Sequence, residues 1–125
     1  MTASIEALKI TSISKSQTVI RYSELSMHCF FQLEDDERLY SLKWLLNDVE
    51  ILRYLPGSKQ LKIIQRSPEF LIDERRSNGT FIYFHQVDFS AEGTWKCRVM
   101  LEGPSFEAAE LTTHIRVVGA SIVLN

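Results

Sequence analysis

Two cysteines, three histidines and one acidic run are the residues of this 125-residue chain whose types could do chemistry. Cys29 and Cys97 stand 68 positions apart and neither belongs to a CxxC pair, so a four-thiolate zinc site is excluded. They are either free thiols buried as small hydrophobes or two halves of one disulfide. His28, His85 and His114 show no HxH or HxxxH spacing, which argues against a metal set. Glu34-Asp35-Asp36-Glu37 offers carboxylates, but it lacks the alternate-residue oxygen spacing and the glycine of calcium loops. It reads as a solvated acidic loop. Ser90 lies near Glu92, yet there is no GxSxG elbow and no glycine-rich phosphate loop. The chain therefore reads as a non-enzyme with no cofactor, no metal and no small-molecule substrate. Asn78-Gly79-Thr80 fits the N-glycosylation acceptor pattern, and it also fits a plain Asn-Gly turn.

The elements that carry these residues are short and strand-like. Hydrophobic residues make up 45% and charged residues 24%, an ordinary globular balance that excludes a disordered chain. Fourteen basic against sixteen acidic residues argue against nucleic acid, and no polybasic cluster points to an acidic membrane surface. The length allows one domain, read as residues 1–118, with 119–125 as a tail or the start of a linker. Met1 to Ala7 has neither the basic nor the apolar region of a signal peptide, and no run approaches the roughly 18 apolar residues of a spanning helix.

Apolar residues alternate with period two. Leu25, Met27, Cys29, Phe31 and Leu33 share one face of a strand, as do Leu42, Trp44 and Leu46 of the next. Glu50 to Leu55 ends at Pro56-Gly57, Thr80 to Phe84 is β-branched and aromatic, and Thr94 to Leu101 pairs with Phe106 to Val118 around Glu102-Gly103-Pro104. About eight or nine short strands, each closed by a turn signal, predict an antiparallel sandwich or barrel.

Cys29, Trp44 and Cys97 all fall on inward positions, and Gly93-Thr94-Trp95-Lys96-Cys97 places an aromatic two residues before the second cysteine. This pattern resembles an immunoglobulin-type sandwich, in which a tryptophan on the third strand packs against an inter-sheet disulfide. The resemblance implies a Cys29–Cys97 bridge, which would stabilise the fold by about 4 kcal/mol through loop closure. The stretch between Trp44 and Ile82 leaves room for the extra strands of the variable type. A disulfide persists outside the cytosol, so the expected location is extracellular or at the cell surface, the absent leader being accounted for by truncation.

Leu39-Tyr40-Ser41-Leu42-Lys43-Trp44, then Arg53-Tyr54-Leu55-Pro56, Ser77-Asn78 and Pro104-Ser105-Phe106, resemble the first immunoglobulin domain of the insect beaten-path (Beat) cell-surface family. The likeness spans about Leu25 to Val118. Departures are Leu45-Leu46 for the usual Tyr-Lys and Ile51-Leu52 for Phe-Tyr. Trp95 stands where such domains carry a corner tyrosine, and Ala91 where many carry an Asp that bridges to an Arg. The resemblance implies a membrane-associated role in cell adhesion, axon guidance and synaptic specificity, through a sidestep-type immunoglobulin receptor.

Strand parity adds a surface. Lys43, Leu45 and Asn47 should point outward on one strand and Lys96, Arg98 and Met100 on its neighbour, with Thr112, His114 and Arg116 beyond. That assigns Leu111, Thr113, Ile115 and Val117 to the core. Arg53 and Tyr54 are placed at the edge of the same sheet, and Phe106 at its last hairpin. Such a mixture suits a protein interface, whether with a receptor or a second copy of the chain. The alternative is a structural spacer, or a truncated gene copy, with no dedicated partner.

Overall fold

A computed structural model describes residues 9–59, 62–64, 72–103 and 106–119. Among the described residues nine strands form in chain order: β1 (Lys9–Ile13), β2 (Gln17–Ile20), β3 (Leu25–Gln32), β4 (Leu39–Leu46), β5 (Val49–Tyr54), β6 (Lys62–Ile64), β7 (Phe81–Phe84), β8 (Gly93–Leu101) and β9 (Ala108–Val118). A 3-10 turn, Phe89–Ala91, precedes β8. Apart from Gly119, the expected tail at 119–125 lies outside the described residues, as do Pro104 and Ser105.

Two sheets result. The back sheet runs β1-β3-β7, and Ile72 adds a bridge to Phe84. The front sheet runs β2-β9-β8-β4-β5-β6. The first strand is split between them: β1 lies antiparallel to β3, then the chain crosses at residues 14–16 and β2 runs parallel to β9. With β5 and β6 both added to the front sheet, this is the variable-type immunoglobulin sandwich.

Period-two alternation explains the core. Leu25, Met27 and Cys29 of β3, Leu42, Trp44 and Leu46 of β4, and Trp95, Cys97, Val99 and Leu101 of β8 are buried. Trp44 lies opposite Cys97 across the β4–β8 ladder, and Cys97 is bonded to Cys29 of the other sheet with the Cα atoms 6.5 Å apart. The expected bridge across the sandwich, with its tryptophan alongside, is therefore present.

One core assignment is corrected. Leu111 has inward parity but is 40% exposed, whereas Thr113, Ile115 and Val117 are buried. Strand β2 flanks β9 only from Ile115 to Val118, so Leu111 lies on the stretch of β9 that this neighbour does not reach.

The corner before β8 is held by polar contacts. Asp88 Oδ1 accepts from Phe89 N at 2.7 Å and from Arg21 Nε at 2.8 Å, tying the loop after β2 to the 3-10 turn. Residue 91 supplies no carboxylate, as its alanine requires, but an Arg–Asp bridge forms nearby from different residues.

Candidate protein-recognition face

The outward side of the front sheet collects most of the candidate residues. Lys43 and Leu45 of β4 stand beside Arg98 and Lys96 of β8 in register, and Met100 follows on the same row of β8 opposite Ser41. Across the other ladder, Lys43 pairs with Arg53 and Leu45 with Glu50 of β5. Glu110 and Thr112 of β9 sit opposite Arg98 and Lys96. Leu45 and Met100 are half-buried within this grid.

An irregularity in β5 sets part of the geometry. The register shifts between Trp44 and Leu45, so Ile51 is an extra residue and both Ile51 and Leu52 are buried. Glu50 and Arg53, three positions apart, are thereby brought to one face, where they form two hydrogen bonds of 2.9 Å. The same shift turns Tyr54 away from the face. It shares the inward row with Leu42 and lines a cavity of about 240 Å³, half open to solvent, with Phe31, Leu39 and Asn78. Arg53 and Tyr54, expected at the edge of the sheet, lie one strand in from it, because β6 pairs along the far side of β5.

Every cation of the grid has a carboxylate partner. Glu50 also lies 3.8 Å from Lys43. Arg98 donates to Glu110 at 2.9 Å, and Lys96 donates to Asp48 at 3.1 Å with Glu110 at 3.7 Å. The Asp48 hydrogen bond, then the charges of Asp48 and Glu110, raise the Lys96 pKa above its ordinary value. The Glu50 hydrogen bond does the same for Arg53. Four cations therefore meet three carboxylates. Half-exposed pairs of this kind contribute about 0–1 kcal/mol each, so they order the side chains more than they stabilise the fold.

Asn47, expected on the outward strand face, belongs instead to the β4–β5 turn. Asn47 and Asp48 have φ of 49° and 69°, the left-handed pair of a tight hairpin. Asn47 Oδ1 accepts from Thr94 N at 3.0 Å, which pins the turn to the start of β8.

Phe106 lies at the opposite end of the face, 55% exposed, with φ of 50°. Its ring meets Tyr40 edge to face at 6.3 Å. Tyr40, 49% exposed, sits where the β4–β8 register shifts between Leu39 and Ser41. The shift throws it outward, and reading by alternation alone misses it. Glu110 was within reach of sequence reasoning, since it has the parity of Thr112 and His114. Glu50 was not, because the bulge breaks the parity of β5.

Asn78 is exposed in the turn before β7. The acidic run closes on itself, Glu34 N donating to Glu37 Oε1 at 2.6 Å. Among the described residues, no three His, Cys, Asp or Glu side chains converge as metal ligands.

No protein-family model matches the chain, and no curated protein does. Solved structures are similar in fold. Murine CRIg shares 13% identity over 90% of this chain and 99% of its own, at a TM-score of 0.68. Domain 1 of VCBP3 from Branchiostoma floridae shares 12% over 90% and 96%, at 0.67. The V domain of amphioxus IgVJ-C2 shares 14% over 81% and 98%, at 0.64. At these identities the likeness is one of fold.

Proposed function

We propose that this variable-type domain is an extracellular recognition module that binds a protein partner through the outward side of β4, β5, β8 and β9. The observation that carries the reading is the ordered grid: Lys43, Arg53, Lys96 and Arg98, each held by a carboxylate, surround Leu45 and Met100, with Tyr40 and Phe106 exposed at one end. Arginine, methionine and aromatic rings are the side chains over-represented in interface cores. Paired charges of fixed position favour steering and specificity over raw affinity. A disulfide supports the extracellular setting.

The finer reading is a partner of the sidestep type, in a beaten-path-like role in adhesion between neuronal cell surfaces. It rests on Leu39 to Trp44 and Arg53 to Pro56 as they stand in the sequence. Arg98 faces Glu110, so reversing Arg98 alone would set two carboxylates opposite each other and disturb the sheet. The charge exchange Arg98→Glu with Glu110→Arg keeps the pair and inverts the pattern. Binding of the secreted domain to a set of sidestep-type ectodomains should fall at least tenfold in this variant while thermal unfolding stays within a degree or two. Absence of any partner for the unaltered domain would favour the spacer reading, and binding unchanged by the exchange would move the site off this face.

A further inference from the structure

The outward side of the back sheet carries rings in place of charges. His28 and Phe30 of β3 stack at 4.5 Å, Phe30 meets Phe81 of β7 edge to face at 5.7 Å, and Phe81 stacks on Tyr83 at 6.1 Å. The Arg76 guanidinium closes the row over Tyr83 at 4.8 Å. Phe30 is 41% exposed, so the row is open to solvent at the Phe30–Phe81 end.

The turn leading into β7 adjoins that open end. Asn78 N donates to Phe81 O at 2.8 Å, while Asn78 Oδ1 accepts from Thr80 N at 2.8 Å and Phe81 N at 2.9 Å. With its oxygen committed to these two donors, the planar amide turns its nitrogen away from them. From below, the turn rests on Tyr54: a Cβ on Gly79 would lie 2.7 Å from the Tyr54 ring. Tyr54 and Gly79 together thus brace a turn in which Asn78 is exposed and hydrogen-bonded to the backbone of Phe81.

We propose that Asn78 carries an N-linked glycan whose first sugar packs on Phe81 and Phe30. The glycan then covers the aromatic face and leaves the charged front face as the open one. The inference rests on the extracellular reading. In the modifying step, Asn78 Nδ2 forms a bond to C1 of an oligosaccharide carried on a lipid diphosphate. The C1–O bond to the diphosphate breaks, the lipid diphosphate leaves with the bonding pair, and the amide proton passes to a base of the transferase. Thr80 supplies the hydroxyl that the acceptor pattern requires. Once attached, the C–H side of the pyranose meets the negative faces of the rings, a contact that also removes apolar surface from water.

The test is expression of the full chain through a eukaryotic secretory pathway. The secreted, disulfide-bonded protein should show a mobility shift that an N-glycan amidase removes and that Asn78→Gln and Thr80→Ala abolish. Trimmed to its first sugar, it should melt a few degrees above Asn78→Gln. Most of that gain should vanish in the Phe30→Ser background, a substitution at a half-exposed site that leaves the core intact. Ring-current upfield shifts of the first sugar's protons, lost in Phe30→Ser, provide a second readout independent of stability. An unmodified Asn78 in the secreted protein overturns the proposal. So does a sugar whose melting gain and proton shifts are the same with and without Phe30. Either failure leaves front-face recognition standing, because that reading is measured by partner binding and the Arg98–Glu110 exchange.

Discussion

Trp95 and Trp44 are both fully buried, yet their indole N–H groups end differently. Trp95 Nε1 donates to Ala91 O at 2.8 Å, four residues upstream. A tyrosine hydroxyl makes this back-bond in many immunoglobulin domains, so here an indole performs the task from the same position, two residues before the cysteine. Trp44 Nε1 is buried without a hydrogen-bond partner among the described residues, and its place is set by packing beside the disulfide. The back-bond can be separated from the indole's bulk. Trp95→Phe and Trp95→Tyr both lose volume, but only tyrosine keeps a donor pointing toward Ala91. In urea unfolding, the Tyr variant should therefore be more stable than the Phe variant by about 1 kcal/mol, the net worth of one hydrogen bond. Equal stabilities would mean that Trp95 serves by volume alone.

At the scale of the strand, one glycine decides how β8 begins. Gly93 has φ of +146°, a backbone conformation that side chains disfavour, and an added Cβ would lie 2.7 Å from the Asn47 amide. That amide is the one holding Thr94 N, so it has little freedom to retreat. Gly93→Ala should cost about 2–3 kcal/mol in chemical denaturation, at the upper end of backbone strain. Gly57→Ala is the control. It sits in a turn with no atom within 4 Å of its would-be Cβ and should change stability by less than about 1 kcal/mol. Similar losses at both sites would refute the account. These elements also show where sequence reading succeeds and stops. Alternation placed Cys29, Trp44 and Cys97 correctly because β3, β4 and β8 are regular through those residues. It passed over Tyr40, which sits beside a register shift, since one extra residue inverts the parity of all that follow. It also named the cations Lys43, Arg53, Lys96 and Arg98 without Glu50 and Glu110, because pairing across strands depends on register, which a single strand does not reveal.

For the whole molecule, one of the long-range contacts makes stability depend on acid. Arg21 bridges Asp88 across 67 positions of sequence and lies over the rings of Tyr22 and Phe89 at 4.5 and 4.7 Å. The Phe89 N–H, then the Arg21 hydrogen bond, hold the Asp88 carboxyl below its ordinary pKa. Asp73 is likewise lowered, chiefly by its hydrogen bond from Arg76. Each carboxyl binds a proton less readily in the folded chain than in the unfolded one. Their contribution to stability is therefore complete above the ordinary carboxylate pKa of about 4 and is lost as pH falls through the lowered folded values. Melting temperature should be nearly flat from about pH 7 to pH 5 on this account, then drop below about pH 4. The Asp73→Asn and Asp88→Asn double variant should melt lower at neutral pH and lose less on acidification, so that the two curves converge. Asp88 is expected to account for more of the convergence. Its bridge joins segments that the unfolded chain keeps apart, whereas Asp73 and Arg76 remain neighbours in sequence even when unfolded. Parallel acid curves for the double variant and the unaltered chain would show that other carboxylates set the acid limit.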